Sequence, residues 1–255
     1  MYDPPGFIWV ITIAGVIATL AATCAVLYVG AVRAGLGRRR ATLLAGGGAV
    51  VFGGWFAASA VIAGHGWYRT RLGHGVPWMP VAVVGFLGLL LAMRRIPVVA
   101  RALTAPGMTT RLEFPHTFRV AGVAFLITMA LGHLPALFAL PAGLGDIATG
   151  IAAAFVIRRL AQGTGRRAAL WLNLFGLTDL IVALTLGALT GFQLLNVTPS
   201  GTPISGLPLV LIPTVEVPLL LALHITALPA LVRASRTRMT ARPPAPSRAG
   251  AGLSR

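Results

Sequence analysis

The sequence predicts an all-α integral membrane protein, a bundle of seven transmembrane helices. Seven apolar runs reach the ~20 residues that an α-helix needs to cross ~30 Å of hydrocarbon. Only 10% of the residues are charged and the mean hydropathy is +0.85, whereas soluble domains average roughly a quarter charged residues. The chain therefore has too few polar residues to enclose a soluble core.

The elements follow from where these apolar runs are interrupted. Residues 97–116 predict a short interfacial helix or a loop, residues 191–206 an outer loop rich in turn formers, and the PAGLG string at 141–145 a tight hairpin. Residues 1–232 then form the membrane domain, and residues 233–255 are expected to be a disordered basic cytoplasmic tail. The predicted spans are 7–31, 41–63, 76–96, 117–140, 142–161, 168–190 and 207–231.

The distribution of arginine predicts the orientation. All 21 basic residues are arginine, and only Arg69 and Arg71 lie in the loops that face one side. Because cytoplasmic loops carry the excess of positive charge, the N-terminus is expected outside and the C-terminus in the cytoplasm. Basic residues scattered between apolar runs indicate contact with anionic inner-leaflet lipid and argue against nucleic-acid binding. The arginine, alanine and glycine bias suggests a GC-rich bacterial genome, hence a multi-pass protein of the bacterial inner membrane.

Acidic residues are rare, and two of them fall inside predicted spans. The chain has five acids in all, of which Asp179 and Glu216 lie near the middle of spans six and seven. A charge at the bilayer centre costs at least ~2.5–3.5 kcal/mol on insertion scales, so function is the default hypothesis there. The alternative is a protonated carboxyl group that joins two helices by a hydrogen bond. Pro213 and Pro218, which bracket Glu216, predict a kink with free carbonyl groups.

Four further polar residues complete the candidate site for coupling or binding. His133 lies near the outer end of span four, and the predicted hairpin would bring it close to Asp146. His224 lies two turns after Glu216 on the same side of span seven, and Asn173 lies in span six toward the cytoplasm. Titratable groups at graded depths are what a proton or ion pathway needs.

An outer metal site is a second hypothesis. His65 ends span two and His74 follows in the loop, so with His133 and Asp146 they would supply three imidazoles and a carboxylate near one face. These ligands suit zinc or copper. Asp146 is alternatively only a helix N-cap.

The resulting best hypothesis is a proton- or ion-linked transporter of a small solute. The alternatives are a membrane metal or redox protein with the outer His/Asp site, and a seven-helix sensor or assembly factor. The sequence contains no Gly-x-Ser-x-Gly, His-Glu-x-x-His or Gly-x-Gly-Asp protease site in a fitting context, which argues against an enzyme. A retinal Schiff base is excluded because the chain has no lysine. Haem is not expected, because His133 and His224 are predicted at opposite depths.

Overall fold

A computed structural model describes residues 2–69 and 75–240, with side chains described as far as residue 232. The described chain is helical and contains no strand, which confirms the predicted all-α class. Its main helices are α1 (Gly6–Arg33), α2 (Arg38–Gly64), α3 (Trp78–Met93), α4 (Pro97–Leu103), α5 (Met108–Leu112), α6 (Val123–Ala130), α7 (Ala136–Ala161), α8 (Arg166–Gly191) and α9 (Val217–Thr240).

Within the described residues, five helical segments are long and apolar enough to cross a membrane: α1, α2, α7, α8 and Ile212–Val232. A sixth is obtained if α3 and α4, which meet at an angle of 88°, count as one span. Several helices could therefore span a membrane, and the count of seven is not confirmed. Helix α4 begins at Pro97, where the missing amide proton is tolerated in the first turn.

The predicted spans four and five differ from the structure. A 3₁₀-helix covers Phe114–Gly122 and runs into the short α6, and the chain reverses at residues 131–135 before α7 begins. The hairpin expected at PAGLG lies inside α7, with Pro141 near its start. Proline in a membrane helix is tolerated where neighbouring helices compensate for the lost hydrogen bond, so the proline–glycine string was a misleading turn signal.

The second departure is at α9. A π-helical turn covers Ile212–Glu216, and α9 continues from it to Thr240. The predicted tail thus begins with eight helical residues, 233–240, where the sequence indicated disorder; the rest of that prediction, 241–255, lies outside the described residues.

The bundle is arranged around α9. Helices α3 and α8 pack against it, the 3₁₀-helix and α8 pack against α7, and α1 contacts α2, α4 and the 3₁₀-helix. Small residues allow the close approaches: a Cβ at Gly15 would overlap Ala121, and a Cβ at Gly150 would lie 2.9 Å from Val120. Such residues let helix backbones meet directly in a membrane bundle.

Candidate functional site

Arg119 is the centre of the buried polar residues. Its side chain is completely buried, and Nε donates to Asp146 Oδ1 over 2.8 Å while Nη2 donates to Asp179. Nη1 donates to the carbonyl oxygen of Gly176 at 3.3 Å. A planar guanidinium has five donors in a fixed geometry, which lets it bind two carboxylates and a carbonyl oxygen from different helices at once.

The 3₁₀-helix explains why Arg119 lies beside other titratable groups. Side chains three residues apart eclipse one another in this coil. Glu113, which caps the helix, and His116, Arg119 and Gly122 therefore form one column, and all four are buried. At the end of the column, a Cβ on Gly122 would lie 2.6 Å from Asp146 Oδ2. Glycine is thus what lets the Asp146 carboxylate approach.

A second chain of hydrogen bonds leads from Arg119 to Glu113. Nη1 of Arg119 lies 3.5 Å from His224 Nε2, the outer limit for a hydrogen bond. His224 Nδ1 lies 2.9 Å from Asn173 Oδ1, and Asn173 Nδ2 donates to Glu113 Oε1 over 2.6 Å. Because the guanidinium only donates, Nε2 of His224 is the acceptor and its Nδ1 carries the proton, so every donor in the chain points toward Glu113.

The inner end of this chain has buried atoms without partners. The His116 ring stacks on His224 with centroids 3.8 Å apart, and among the described residues both of its nitrogens and Oε2 of Glu113 lack a hydrogen-bond partner. Burial raises the pKa of Glu113 to about 7, partly opposed by the hydrogen bond from Asn173. Glu113 precedes the 3₁₀-helix, and with this pKa its carboxyl group should gain or lose a proton near neutral pH.

Glu216 has a different setting from Asp179. Its Oε1 accepts a hydrogen bond of 2.8 Å from Thr19 in α1. Pro218 has no amide proton for the carbonyl oxygen of Thr214, four residues earlier, and that oxygen accepts from Trp55 Nε1 over 2.8 Å. The predicted irregularity is present as a π-helical turn, and the predicted free carbonyl is bound by Trp55. Glu216 is buried and the Asp179 side chain is 8% exposed, and different helices satisfy the two carboxyl groups.

A cavity of about 230 Å³ opens in the half of the bundle that contains the start of α3 and the end of α8. It is called the outer cavity, because the sequence predicts that this half faces outward. Its walls are apolar, with Phe125, Phe138 and Phe192 among them, and Asp146 is its only charged lining residue in the described chain. The Asp146 side chain is 12% exposed, compared with 0% for Arg119. The cavity therefore reaches the charge cluster through one carboxylate.

Of the six candidate residues, Asp146, Asp179, Asn173 and His224 come together around Arg119. Glu216 lies apart on Thr19, and His133 does not join them. The expected proximity of His133 and Asp146 is wrong because the chain turns at residues 131–135, which places Asp146 ten residues into α7, about 15 Å along the helix axis. His133 instead packs against Tyr2, with ring centroids 4.3 Å apart and the ring planes tilted by 36°.

The hypothetical outer metal site gains no support. No group of three potential metal ligands occurs among the described residues. Asp146 lies inside α7, not at its N-cap, and its carboxylate is paired with Arg119. His65 is exposed at the end of α2. His74 lies outside the described residues.

Sequence reasoning missed Arg119, Glu113 and His116. In the sequence, Arg119 reads most simply as one of the positive-inside arginines at the start of the span predicted at 117–140, and Glu113 falls in the link predicted at 97–116. A signal was present: Arg119 lies within the span predicted at 117–140, and a cation in one span complements acids in others.

Comparisons with known proteins give one family. No curated protein and no solved structure matches the chain. The model of a family described as a domain of unknown function, DUF8737, matches residues 76–232. That range contains Glu113, Arg119, Asp146, Asp179 and His224, and excludes α1 and α2. Because the match covers more than half of the sequence, the chain belongs to the DUF8737 family.

Proposed function

We propose that the protein is a proton-linked carrier of a small amphiphilic solute with seven membrane crossings. The fourth crossing is Phe114–Ala130. Nine residues of 3₁₀-helix rise about 18 Å and eight of α-helix about 12 Å, so together they cover the ~30 Å hydrocarbon core. Seven crossings with the arginine-rich links inside place the N-terminus outside and the tail in the cytoplasm of a bacterial inner membrane.

One observation carries the functional proposal: Asp146 belongs both to the apolar cavity and to the cluster around Arg119. The cavity has the properties of a solute site, with mostly apolar walls and one convergent polar group. The cluster has those of a proton site. What occupies the cavity therefore acts directly on the charge balance of the cluster.

That balance requires a proton. Asp146 and Asp179 share one guanidinium, so the trio carries an excess negative charge if both acids are ionised. An uncompensated buried charge costs several kcal/mol, which favours proton uptake by one carboxyl group. Protonation and solute binding then compete or cooperate at one place, which is what couples two fluxes.

Solute-evoked proton movement in liposomes tests the proposal. The protein is reconstituted with a pH-sensitive dye in the lumen, a pH gradient is imposed, and benzyltrimethylammonium, toluenesulfonate or neopentylbenzene is added. These probes share an aromatic body and differ in charge. At least one should collapse the gradient through the unmodified protein.

The matched variants are Asp179→Asn and Asp3→Asn. Asp179→Asn should slow the evoked flux by at least about tenfold, equivalent to ~1.4 kcal/mol, whereas Asp3 is exposed near the N-terminus and its substitution should change nothing. Equal flux in both variants, or no response to any probe, contradicts a proton-linked carrier. The sensor or assembly-factor hypothesis stays a prediction from sequence, and no contact among the described residues favours it.

A further inference from the structure

The walls of the outer cavity restrict what it can hold. Among the described lining residues, Asp146 is the only one with a charge and Ser205 the only one with a hydroxyl group. Phenylalanine rings from three elements, Phe125, Phe138 and Phe192, also line it. Gly187 lies beside the Phe138 ring, which a Cβ there would meet at an ordinary contact distance of 3.4 Å. Aromatic faces attract cations as well as apolar groups.

The position of Asp146 in front of Arg119 at the cavity wall excludes an anion as the bound solute. A solute entering the cavity meets the partly exposed Asp146 carboxylate, while the Arg119 guanidinium behind it has no exposed surface. Asp146 Oδ1 accepts from Arg119, and Oδ2 accepts no hydrogen bond from the described residues. A carboxylate with free acceptor capacity, as the one charged group of an apolar cavity's described lining, is a site for a positive group.

We infer that the solute is an organic cation, with an aromatic or branched apolar body and one positive group that pairs with Asp146. The binding step rests on the cavity alone, and only its use in transport rests on the proposed function. The exchange is balanced: the neutral carboxyl group shared by Asp146 and Asp179 releases one proton, and the resulting carboxylate pairs with the cation. Net charge in the cluster is the same before and after.

Binding is tested without transport. Purified protein in nanodiscs is equilibrated with radiolabelled benzyltrimethylammonium, and proton release is followed in weakly buffered solution. The cation should bind and release a proton. Its affinity should rise with pH by up to about tenfold per pH unit where the carboxyl group is protonated. Toluenesulfonate should not compete, and neopentylbenzene, which has the same shape without the charge, should compete without releasing protons.

Two pairs of variants locate the site. Asp146→Asn should weaken cation binding at least about tenfold, as expected for loss of a buried charge pair, and abolish proton release, with Asp3→Asn as its control. Val84→Trp should block the cavity from its rim without touching the charge cluster. Its control is Val50→Trp, because Val84 and Val50 are 68% and 74% exposed and only Val84 lines the cavity.

Each outcome decides between the alternatives. Cation binding that survives Val84→Trp, proton release that survives Asp146→Asn, or stronger binding of toluenesulfonate overturns the inference. If Asp146→Asn fails to fold, the Val84 and Val50 pair still decides it. Cation binding with proton release, but without flux evoked by any of the three probes, would support this site and refute the carrier. Flux evoked only by another probe, without cation binding, would support the carrier and refute this site.

Discussion

Two cavities of similar size lie in opposite halves of the bundle, and they differ in what they touch. The outer cavity, about 230 Å³, reaches Asp146 and through it the Arg119 cluster. The second cavity, about 290 Å³, lies among α1, α2, α3, α4 and α9 and is called the inner cavity, because the sequence predicts that its half faces the cytoplasm. Its described lining has no acidic residue, and Arg94 is the only charged residue in it. Arg94 donates only a long hydrogen bond of 3.4 Å, to the Ile225 carbonyl oxygen.

The contrast shows that volume does not identify a functional site in a membrane bundle. Apolar gaps between helices are filled equally well by lipid chains, which are as apolar as the side chains around them. A buried ion cluster is different because its insertion is costly. The outer cavity is therefore the candidate site because of its one carboxylate.

Replacing the arginine beside each cavity should give the largest difference in stability between the two regions. Arg119→Met leaves Asp146 and Asp179 buried without a counter-charge and should destabilise the fold by about 3–5 kcal/mol. Arg94→Met, at the inner cavity, should cost no more than about 1 kcal/mol. Unfolding of both variants in detergent, monitored by circular dichroism, measures the difference; equal midpoints would show that the cluster contributes nothing special.

A pair of glycine substitutions tests packing around each region. A Cβ at Gly176 would lie 2.6 Å from His224 Nε2 and 2.9 Å from Arg119 Nη1, so Gly176→Ala should destabilise the fold by roughly 1–3 kcal/mol. At the inner cavity, a Cβ on Gly48 would lie 3.0 Å from the flexible end of Leu27. Gly48→Ala should be close to neutral in the same unfolding measurement, and a greater loss there would reverse the comparison.

Two threonines one turn apart on α1 give a smaller test. Thr19 holds Glu216, whereas Thr23 lines the inner cavity and donates only to the Thr19 carbonyl oxygen. Thr19→Val should cost about 1–3 kcal/mol, because it leaves the Glu216 carboxyl group unsatisfied. Thr23→Val should change the stability by less than about 1 kcal/mol. Similar losses would mean that Glu216 does not depend on α1.

The smallest expected effect is spectroscopic and lies at the inner end of the hydrogen-bonded chain. With its pKa raised to about 7, Glu113 should be largely protonated below that pH and ionised above it. Infrared difference spectra should show the carboxylic C=O band weakening as the pH rises through that value. Glu113→Gln should remove this band change and Asp3→Asn should retain it; a change that persists in Glu113→Gln belongs to another acid.

The sequence was a good guide to long, uninterrupted helices. The predicted spans 7–31, 41–63 and 168–190 correspond closely to α1, α2 and α8, since hydropathy over twenty residues is a strong signal. It failed at residues 114–145. There a 3₁₀-helix replaces the expected period of 3.6 residues, and a tolerated proline inside α7 resembled a turn.

The candidate site was only partly predictable for the same reason. Asp146, Asp179, Asn173 and His224 stood out because polar groups in apolar spans are expensive. Their common partner, Arg119, was hidden by its position at the start of a misplaced span. The error in the turn also produced the false pairing of His133 with Asp146. Which spans face one another is a long-range property that the periodicity of each span does not contain.

The coil of Phe114–Gly122 has a consequence for evolution and for engineering. Because an α-helix advances ~100° per residue, rewinding these residues to α form would fan His116, Arg119 and Gly122 apart by about 60° per step and shorten the segment by roughly 4.5 Å. Helix propensity at exposed positions such as Phe114 and Val120 is thus under constraint. A substitution there that merely improves the α-helix would misalign the guanidinium from its two aspartates.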